Sequence, residues 1–301
     1  MLKIGIVGSG DIARKAYLPV ITRRPVELHF FARNSALASE LASQYGIRNL
    51  HNSLESLISS GIKGAFVHTS TASHDEIVTQ LLSHNIHVYV DKPVTYEFTS
   101  SERLFAVARE KQLQLMVGFN RRYAPAYRKL KELEDVNMLV MQKNRKALPA
   151  DVRTFIFDDF IHVVDTLLYL FPYPTWNLNV SGKKRNGLLY HVAVQFVSVD
   201  GFVATGIMNR DSGTVEEKLE AFTPAGKWVV NNVVDTVVYR DKNEMAIGTD
   251  DWENTLYKRG FDQIVDEFLV RLQEGASLQP QIPDPLVTHQ VCEDIVARLL
   301  E

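Results

Sequence analysis

The chain has 301 residues, enough for one large or two ordinary domains and for a full core without covalent staples. Its 33 Lys and Arg against 36 Asp and Glu leave a net charge of −3. That argues against a nucleic-acid or anionic-membrane binder, which carries a basic excess. The one cysteine, Cys292, excludes an internal disulfide and any multi-cysteine zinc or iron–sulfur centre, and fits a reducing compartment. Residues 1–7 run as a strand straight into glycines, unlike a signal peptide, and no run reaches about 18 apolar residues. A cytoplasmic protein without a membrane span is expected.

In chain order, residues 3–7 form a short buried strand, followed by the turn Gly8, Gly10, Ala13 and a helix to about Thr22, interrupted at Pro19. Residues 28–32 are a second strand, and a helix over 36–45 stops at the C-cap Gly46. A strand at 64–69 leads to a helix opening at Ser73, with Glu76 completing a capping box. A strand at 87–91 precedes a second capping box, Thr99 and Glu102, and a helix to about Lys111; residues 114–118 close the series. Strands alternating with helices imply βαβ units and a parallel sheet, hence an α/β N-terminal domain over residues 1–118.

Residues 119–301 read differently. A strongly apolar helix at 158–171 is followed by several strands with few helices between them. Asp200-Gly201 suits a type I′ hairpin turn, and residues 224–226 form another turn. A loop at 279–285 separates two terminal helices, near 260–274 and 286–300. This is an α+β domain with a mainly antiparallel sheet and helices on one face. One sheet face carries Tyr190, Val192, Val194 and Phe196; the other, His191, Ala193, Gln195 and Val197, is mixed and could pair with a second copy of the chain.

Gly8, Gly10 and Ala13 fit G-x-G-x-x-A between strand and helix. The first glycine permits the tight turn, and the second leaves room for a pyrophosphate. Ala13 lets the helix lie close to the sheet, while the first helical turn, with Asp11 and Ile12, offers N–H groups to the anion. After the second strand the acid that would hold a ribose 2′-hydroxyl is missing, and Arg33 and Asn34 stand there instead. Arg33 can pair with a 2′-phosphate, which favours NADP over NAD.

Four segments together resemble the Gfo/Idh/MocA oxidoreductase family: the glycine turn, residues 69–74, Asp91-Lys92-Pro93, and Asp158, His162 and Asp165. The likeness spans essentially the whole chain and looks closest to the MviM-type branch. It implies an N-terminal Rossmann domain and a C-terminal domain on a large open sheet, through which such proteins form homodimers or homotetramers. It implies that Ser70, Thr71 and Asp91 lie by the cofactor, that Lys92 touches nicotinamide ribose and substrate, and that Asp158 and His162 complete the catalytic group; His74, at a helix N-terminus, either lies on the nicotinamide side of the cofactor or only helps to cap the helix. The family usually has Glu-Lys-Pro; the shorter Asp91 keeps the charge and alters its reach.

Chemistry alone points to the same residues. Oxidising a secondary alcohol requires hydride loss to a nicotinamide and proton loss from the hydroxyl, and the protein must manage the proton. Lys92 follows a strand of the parallel sheet, where open α/β sheets bind ligands. On a helix, Asp158, His162 and Asp165 share one face of an otherwise apolar element; a metal site is disfavoured because no second histidine joins them. Asn120 is a candidate contact for cofactor or substrate, Tyr123 for the substrate pocket, and Arg121 and Arg122 for an acidic or polyhydroxylated substrate or for salt bridges between domains. His68, His191 and the remaining histidines read as core, sheet or loop residues, and Trp176, Trp228 and Trp252 as core or subunit contacts.

The leading function is an NAD(P)-dependent dehydrogenase or reductase acting on a sugar, polyol or related hydroxy compound. A glycosidase or lyase using transient oxidation, and a non-catalytic sensor of NADP and a small ligand, are the alternatives.

Overall fold

The computed structural model describes residues 1–171, 176–273 and 281–301. These form two compact units, Met1–Phe119 with Phe261–Gln281, and Asn120–Gly260 with Ile282–Glu301. The single expected boundary after residue 118 therefore needs correction: the segment from Phe261 returns to the first unit. Hydrophobic periodicity explains the return. The helix Phe261–Gln273 buries Phe261, Ile264, Val265, Phe268 and Leu269 along one side. Phe268 meets Phe66 and Tyr89 at centroid distances of 5.0 and 5.7 Å, while Arg24 pairs with Asp262 and Asp266. Part of the expected loop at 279–285, and residue 274 of the expected helix, lie outside the described residues.

In the first unit β1 (Lys3–Val7), β2 (Glu27–Phe31), β3 (Asn49–His51), β4 (Gly64–Val67), β5 (His87–Val90) and β6 (Leu115–Val117) form one parallel sheet in the order β3-β2-β1-β4-β5-β6. The short edge strand β3 and the helix Leu54–Ser59 escape a periodicity reading because each is under two turns or repeats long. Asn34 caps the helix Ser35–Tyr45 by accepting from the Leu37 N–H (3.1 Å), and Gly46 ends it at φ +67°.

Neither expected capping box forms. Ser73 sits in a 3-10 turn with helical angles, its hydroxyl donating to Thr69 Oγ1 and the Ser70 carbonyl, and the α-helix begins at His74. Thr99 lies inside the helix Phe98–Glu110, whose N-cap position is taken by Glu97 without a side-chain bond.

The second unit carries β7 (Met138–Asn144), β8 (Asn177–Arg185), β9 (Leu188–Val197), β10 (Val203–Asn209), β11 (Glu216–Thr223), β12 (Gly226–Asn231), β13 (Asp235–Arg240) and β14 (Asn243–Ile247). They form one sheet in the order β14-β13-β12-β11-β7-β10-β9-β8, antiparallel except between β7 and β10. Val192, Val194 and Phe196 are buried on one face of β9, whereas His191 and Gln195 are exposed on the other.

Asp200-Gly201 does not form a two-residue type I′ turn. Residues 198–202 make a longer loop closed by Ser198 N–H to Phe202 O (2.9 Å), with only Gly201 left-handed at φ +83°. The tight turn is Asn186-Gly187, at φ +52° and +77°, between β8 and β9.

The apolar helix starts earlier than its composition suggests. Asp151 accepts from the Thr154 N–H (3.0 Å), and the chain then passes through Val152–Thr154, a π-helical turn Phe155–Phe160, and the α-helix Ile161–Leu170. It lies close against the sheet: a Cβ on Gly206 of β10 would stand 2.8 Å from Val163 Cγ1 and 2.9 Å from Leu167 Cδ1.

Candidate active site

A cleft of about 710 Å³ opens at the carboxyl ends of β1, β2 and β4. Its lining includes the expected Gly8, Gly10, Asp11, Ile12, Arg33, Asn34 and Ser70. The two glycines differ in their reason for being small. Gly8 stands at φ +107°, and a Cβ there would fall 2.7 Å from the His68 carbonyl, so the turn itself demands glycine. At Gly10 a Cβ would meet only the His68 carbonyl at 3.5 Å, an ordinary contact. The protein leaves room there that its own packing does not need. A helix starts at this point, with Arg14 N–H on the Gly10 carbonyl (3.1 Å), so its first amides face the cleft mouth unpaired by the helix. The Asp11 carboxylate, unwelcome beside a phosphate, is neutralised by Arg14 and Lys15 at 2.5 and 2.8 Å. Hydrogen bonding to Lys15 lowers its pKa.

These features fit a dinucleotide: pyrophosphate at Gly10 and the helix start, adenosine ribose at Arg33. Arg33 is exposed and makes no ion pair among the described residues. Asn34 has its side-chain oxygen committed to the helix cap. Ala13 is fully buried where the helix meets the sheet.

Ala13, Thr71, His74, Asp91, Lys92 and Asn120, also expected at the cofactor, do not line the cleft. His74 is buried with its ring nitrogens 2.9 and 3.2 Å from the Pro93 and Thr69 carbonyls, tying the loops after β4 and β5 together. Asn52, Ser53, Glu55, Glu76 and Gln80 line the cleft and were not anticipated; the Ser53 N-cap, accepting from Ser56 N–H, is the signal that could have marked the first of these loops.

Behind the strand ends lies a polar knot that sequence reasoning also missed. The Tyr17 and Tyr89 hydroxyls are 2.7 Å apart, and Tyr17 donates to Asp91 Oδ1 at 3.5 Å. Desolvation raises the Asp91 carboxyl above the ordinary carboxylate range, against the pull of Lys92. His68 stacks on Tyr17 with centroids 3.9 Å apart. It is a core residue, as the strand pattern implies, but neither ring nitrogen has a hydrogen-bond partner among the described residues, and burial lowers its pKa to about 3, keeping it neutral. Lys92, the next residue after Asp91, is half-buried.

In the second unit Asp158 is half-buried in the π-helical turn and His162 is buried one turn on. Asp165 does not join them in an open face. It accepts from Arg122 Nε (3.0 Å to Oδ2) and from Thr288 (3.0 Å), making it a structural anchor, and no metal-ligating group of three exists among the described residues.

The expected substrate contacts also need revision. Arg121 spends Nε and Nη2 on Glu217, both at 2.6 Å, within the second unit rather than between domains. Asn120 gives its amide to the Arg259 carbonyl (2.9 Å), and Tyr123 is buried with Arg128 over its ring at 5.2 Å. Trp176 packs edge-on to Phe171 and Phe196, as expected of a core residue, whereas Trp252 is exposed.

A parallel sheet in this order, a glycine cradle at its switch point between β1 and β4, and a lysine after β5 define an oxidoreductase that uses a nicotinamide dinucleotide. Comparison with known proteins agrees. The sequence model of the oxidoreductase family with an NAD-binding Rossmann fold, GFO_IDH_MocA, matches residues 2–119, and that of the YceM-like C-terminal domain matches residues 125–248. A Salmonella typhimurium protein named as an oxidoreductase, YceM, is 37% identical over 97% of this chain and 96% of its own. The crystal structure of a dehydrogenase (MviM) from Clostridium difficile superposes with a TM-score of 0.91 at 30% identity, covering 99% of both chains. A dTDP-3,4-didehydro-2,6-dideoxy-α-D-glucose 3-reductase of Actinomadura kijaniata is 28% identical over 46% of this chain and 42% of its own. The chain belongs to the Gfo/Idh/MocA oxidoreductase family.

Proposed function

We propose that the protein transfers a hydride between a nicotinamide and a carbinol carbon of a sugar, polyol or related hydroxy compound, with NADP as the preferred cofactor. Gly10 carries this reading: a cradle kept open beside a helix start, where the fold itself would accept alanine. The absence of an acid after β2, and the exposed Arg33 in its place, support a 2′-phosphate. The likeness to a sugar-nucleotide reductase supports a sugar-related substrate.

The dinucleotide supplies hydride chemistry at its ring. The chain supplies the rest. One hydroxyl proton leaves as the carbonyl forms and returns in reduction; Lys92 and His162 manage it between them, one as its acceptor and the other by stabilising the developing alkoxide, and Asp158 positions them. Asp91, Ser70 and His74 shape the loops around Lys92. The half-exposed outer face of β9 and β10 supports a homodimer or homotetramer formed through the sheet, in the cytoplasm.

Lys92→Ala tests the assignment. Turnover should fall by about 10³-fold or more while NADPH, followed by fluorescence, still binds. Retained turnover on a verified substrate would remove Lys92 from the chemistry. Product formation without net change in nicotinamide absorbance would instead favour the lyase or glycosidase reading.

A further inference from the structure

The inner face of the second unit's sheet changes character along its length. On β7, Leu139 and Met141 are apolar and buried, and Lys143 follows on the same face. On β11, Ala221 and Leu219 give way to Glu217, directly opposite Lys143 in the register. β10 runs parallel to β7 and leads from Ala204, Gly206 and Met208 to Arg210. The charges therefore gather at one end of the sheet, beneath the π-helical turn that carries Asp158 and Asp159.

Three cations crowd on one carboxylate at that end. Glu217 is held by Arg121. Asp159 is in direct contact with the other three: Lys143 Nζ bonds Oδ1, Arg145 Nε bonds Oδ2 at 2.9 Å, and Arg210 Nε stands 3.9 Å from Oδ2. Arg210 is 6% exposed, with its guanidinium 5.0 Å over the Phe155 ring. Its Nε and Nη1 make no hydrogen bond among the described residues, although Asp158 and Asp151 lie within electrostatic reach. A buried guanidinium with two nitrogens lacking acceptors is costly, and an anion placed there would supply them. Burial, with Arg121 beside it, lowers the Lys143 pKa to about 7 despite Asp159 and Glu217.

We propose that Arg210, Lys143 and Arg145 bind an anionic group of the substrate, a carboxylate or phosphate, so that the substrate is a polyhydroxylated acid or a phosphate ester and not a neutral sugar or polyol. This rests on the hydride-transfer reading above. Asp159 is the fixed counter-charge that holds the three cations in register. Arg145, the most exposed of the three, gives the anion its approach. Asp158, adjacent to Asp159 in the chain, keeps the anion site next to the proposed proton-handling group.

The test is a thermal-shift titration of the full chain saturated with NADP⁺. Hexuronates, aldonates and hexose phosphates are compared with the neutral hexoses and hexitols, and sodium sulfate serves as the free-anion control. At least one sugar anion should stabilise the protein at concentrations tenfold or more below its neutral counterpart and below sulfate. Whether the acids or the phosphates respond identifies the group. Arg145→Gln, on a partly exposed side chain, should raise the half-saturating concentration about tenfold, and Arg210→Met should do so at least as strongly, with NADPH affinity unchanged in both. Equal response to neutral sugars, no response to any sugar anion, or anion affinity indifferent to Arg145→Gln would overturn the proposal. Failure to bind NADPH, scored separately by nicotinamide fluorescence, would instead strike the hydride-transfer reading.

Discussion

The Tyr17 hydroxyl lies 2.7 Å from the Tyr89 hydroxyl and 3.5 Å from the carboxylate of Asp91, the residue immediately before Lys92. Two phenols thus fill the space around a carboxylate one methylene shorter than the glutamate usual in the family. Gly118 closes a further side: a Cβ there would fall 2.9 Å from Tyr17 Oη and 3.0 Å from both Asp91 Oδ1 and Tyr89 Oη. Gly118→Ala should therefore force the knot apart. We expect a loss of about 1–3 kcal/mol of stability from overpacking, together with a tenfold or greater fall in kcat as the backbone at Lys92 shifts. Calorimetry and steady-state kinetics check both. Tyr17→Phe removes one hydroxyl without adding volume and should lower kcat less. Unchanged kcat in Gly118→Ala would mean that the knot supports the fold alone.

The two cradle glycines separate folding from binding. Gly8→Ala places a Cβ 2.7 Å from a backbone carbonyl at a left-handed φ, so the variant should lose several kcal/mol or fail to accumulate. Gly10→Ala meets nothing closer than 3.5 Å and should melt within a degree or two of the parent. Its affinity for NADPH should nevertheless fall about tenfold or more, because the added methyl occupies the approach of the pyrophosphate. If Gly10→Ala bound the dinucleotide normally, the phosphates would have to lie elsewhere in the cleft.

Much of this architecture was legible in the chain because local and global signals agree in the first unit. The strand before Gly8, the left-handed Gly46 and the repeated strand–helix alternation each specify one outcome. The misreadings came where a local signal met a competitor. Ser73 has the spacing of a cap and holds the N-cap position of the helix from His74, but its hydroxyl is drawn to Thr69 and the Ser70 carbonyl instead of to the helix amides. Asp200-Gly201 has the composition of a tight turn, but Ser198 closes a longer loop onto Phe202 from both its backbone and its hydroxyl.

The return of Phe261–Gln281 to the first unit was invisible because an amphipathic helix shows that it buries a face, not which core receives it. In the site, single residues were found through motif spacing, but pairings were not. Arg121 read as a substrate contact and is held by Glu217, 96 residues away; Asp165 read as part of a polar stripe and is held by Arg122 and Thr288. Asp159, in the π-helical turn, and its three cations, at the ends of β7 and β10, share no sequence signature.

Arg33 gives the cofactor preference a direct test. An exposed guanidinium on a ribose 2′-phosphate contributes a charge-assisted, bidentate contact absent with NADH. Arg33→Ala should weaken NADPH about tenfold, equivalent to about 1.4 kcal/mol, and leave NADH within about twofold. Raising the salt concentration should weaken NADPH binding to the parent more than to the variant. Equal losses for both dinucleotides would place Arg33 on a group they share and remove the argument for NADP.

Acid stability should depend measurably on Glu217. The residue is 7% exposed, receives Arg121 at 2.6 Å twice, and receives the Tyr127 hydroxyl at 3.2 Å. Burial alone would raise its pKa; the Arg121 guanidinium outweighs burial and holds it at about 2, against 4.5 for a free side chain. Between those values the unfolded chain binds a proton that the folded chain does not, so stability must fall as pH falls through this window. The contribution is complete above about pH 5, is on the order of 3 kcal/mol there, and is gone near pH 2. Glu217→Gln should lower Tm at pH 7, because Arg121 is left buried without its partner, at a cost of about 3–5 kcal/mol. It should also lack this part of the acid fall, so that the melting curves of parent and variant draw together between about pH 5 and pH 2. A gap that stays constant across that range would show that Glu217 titrates normally and that the pair with Arg121 is weaker than its geometry indicates.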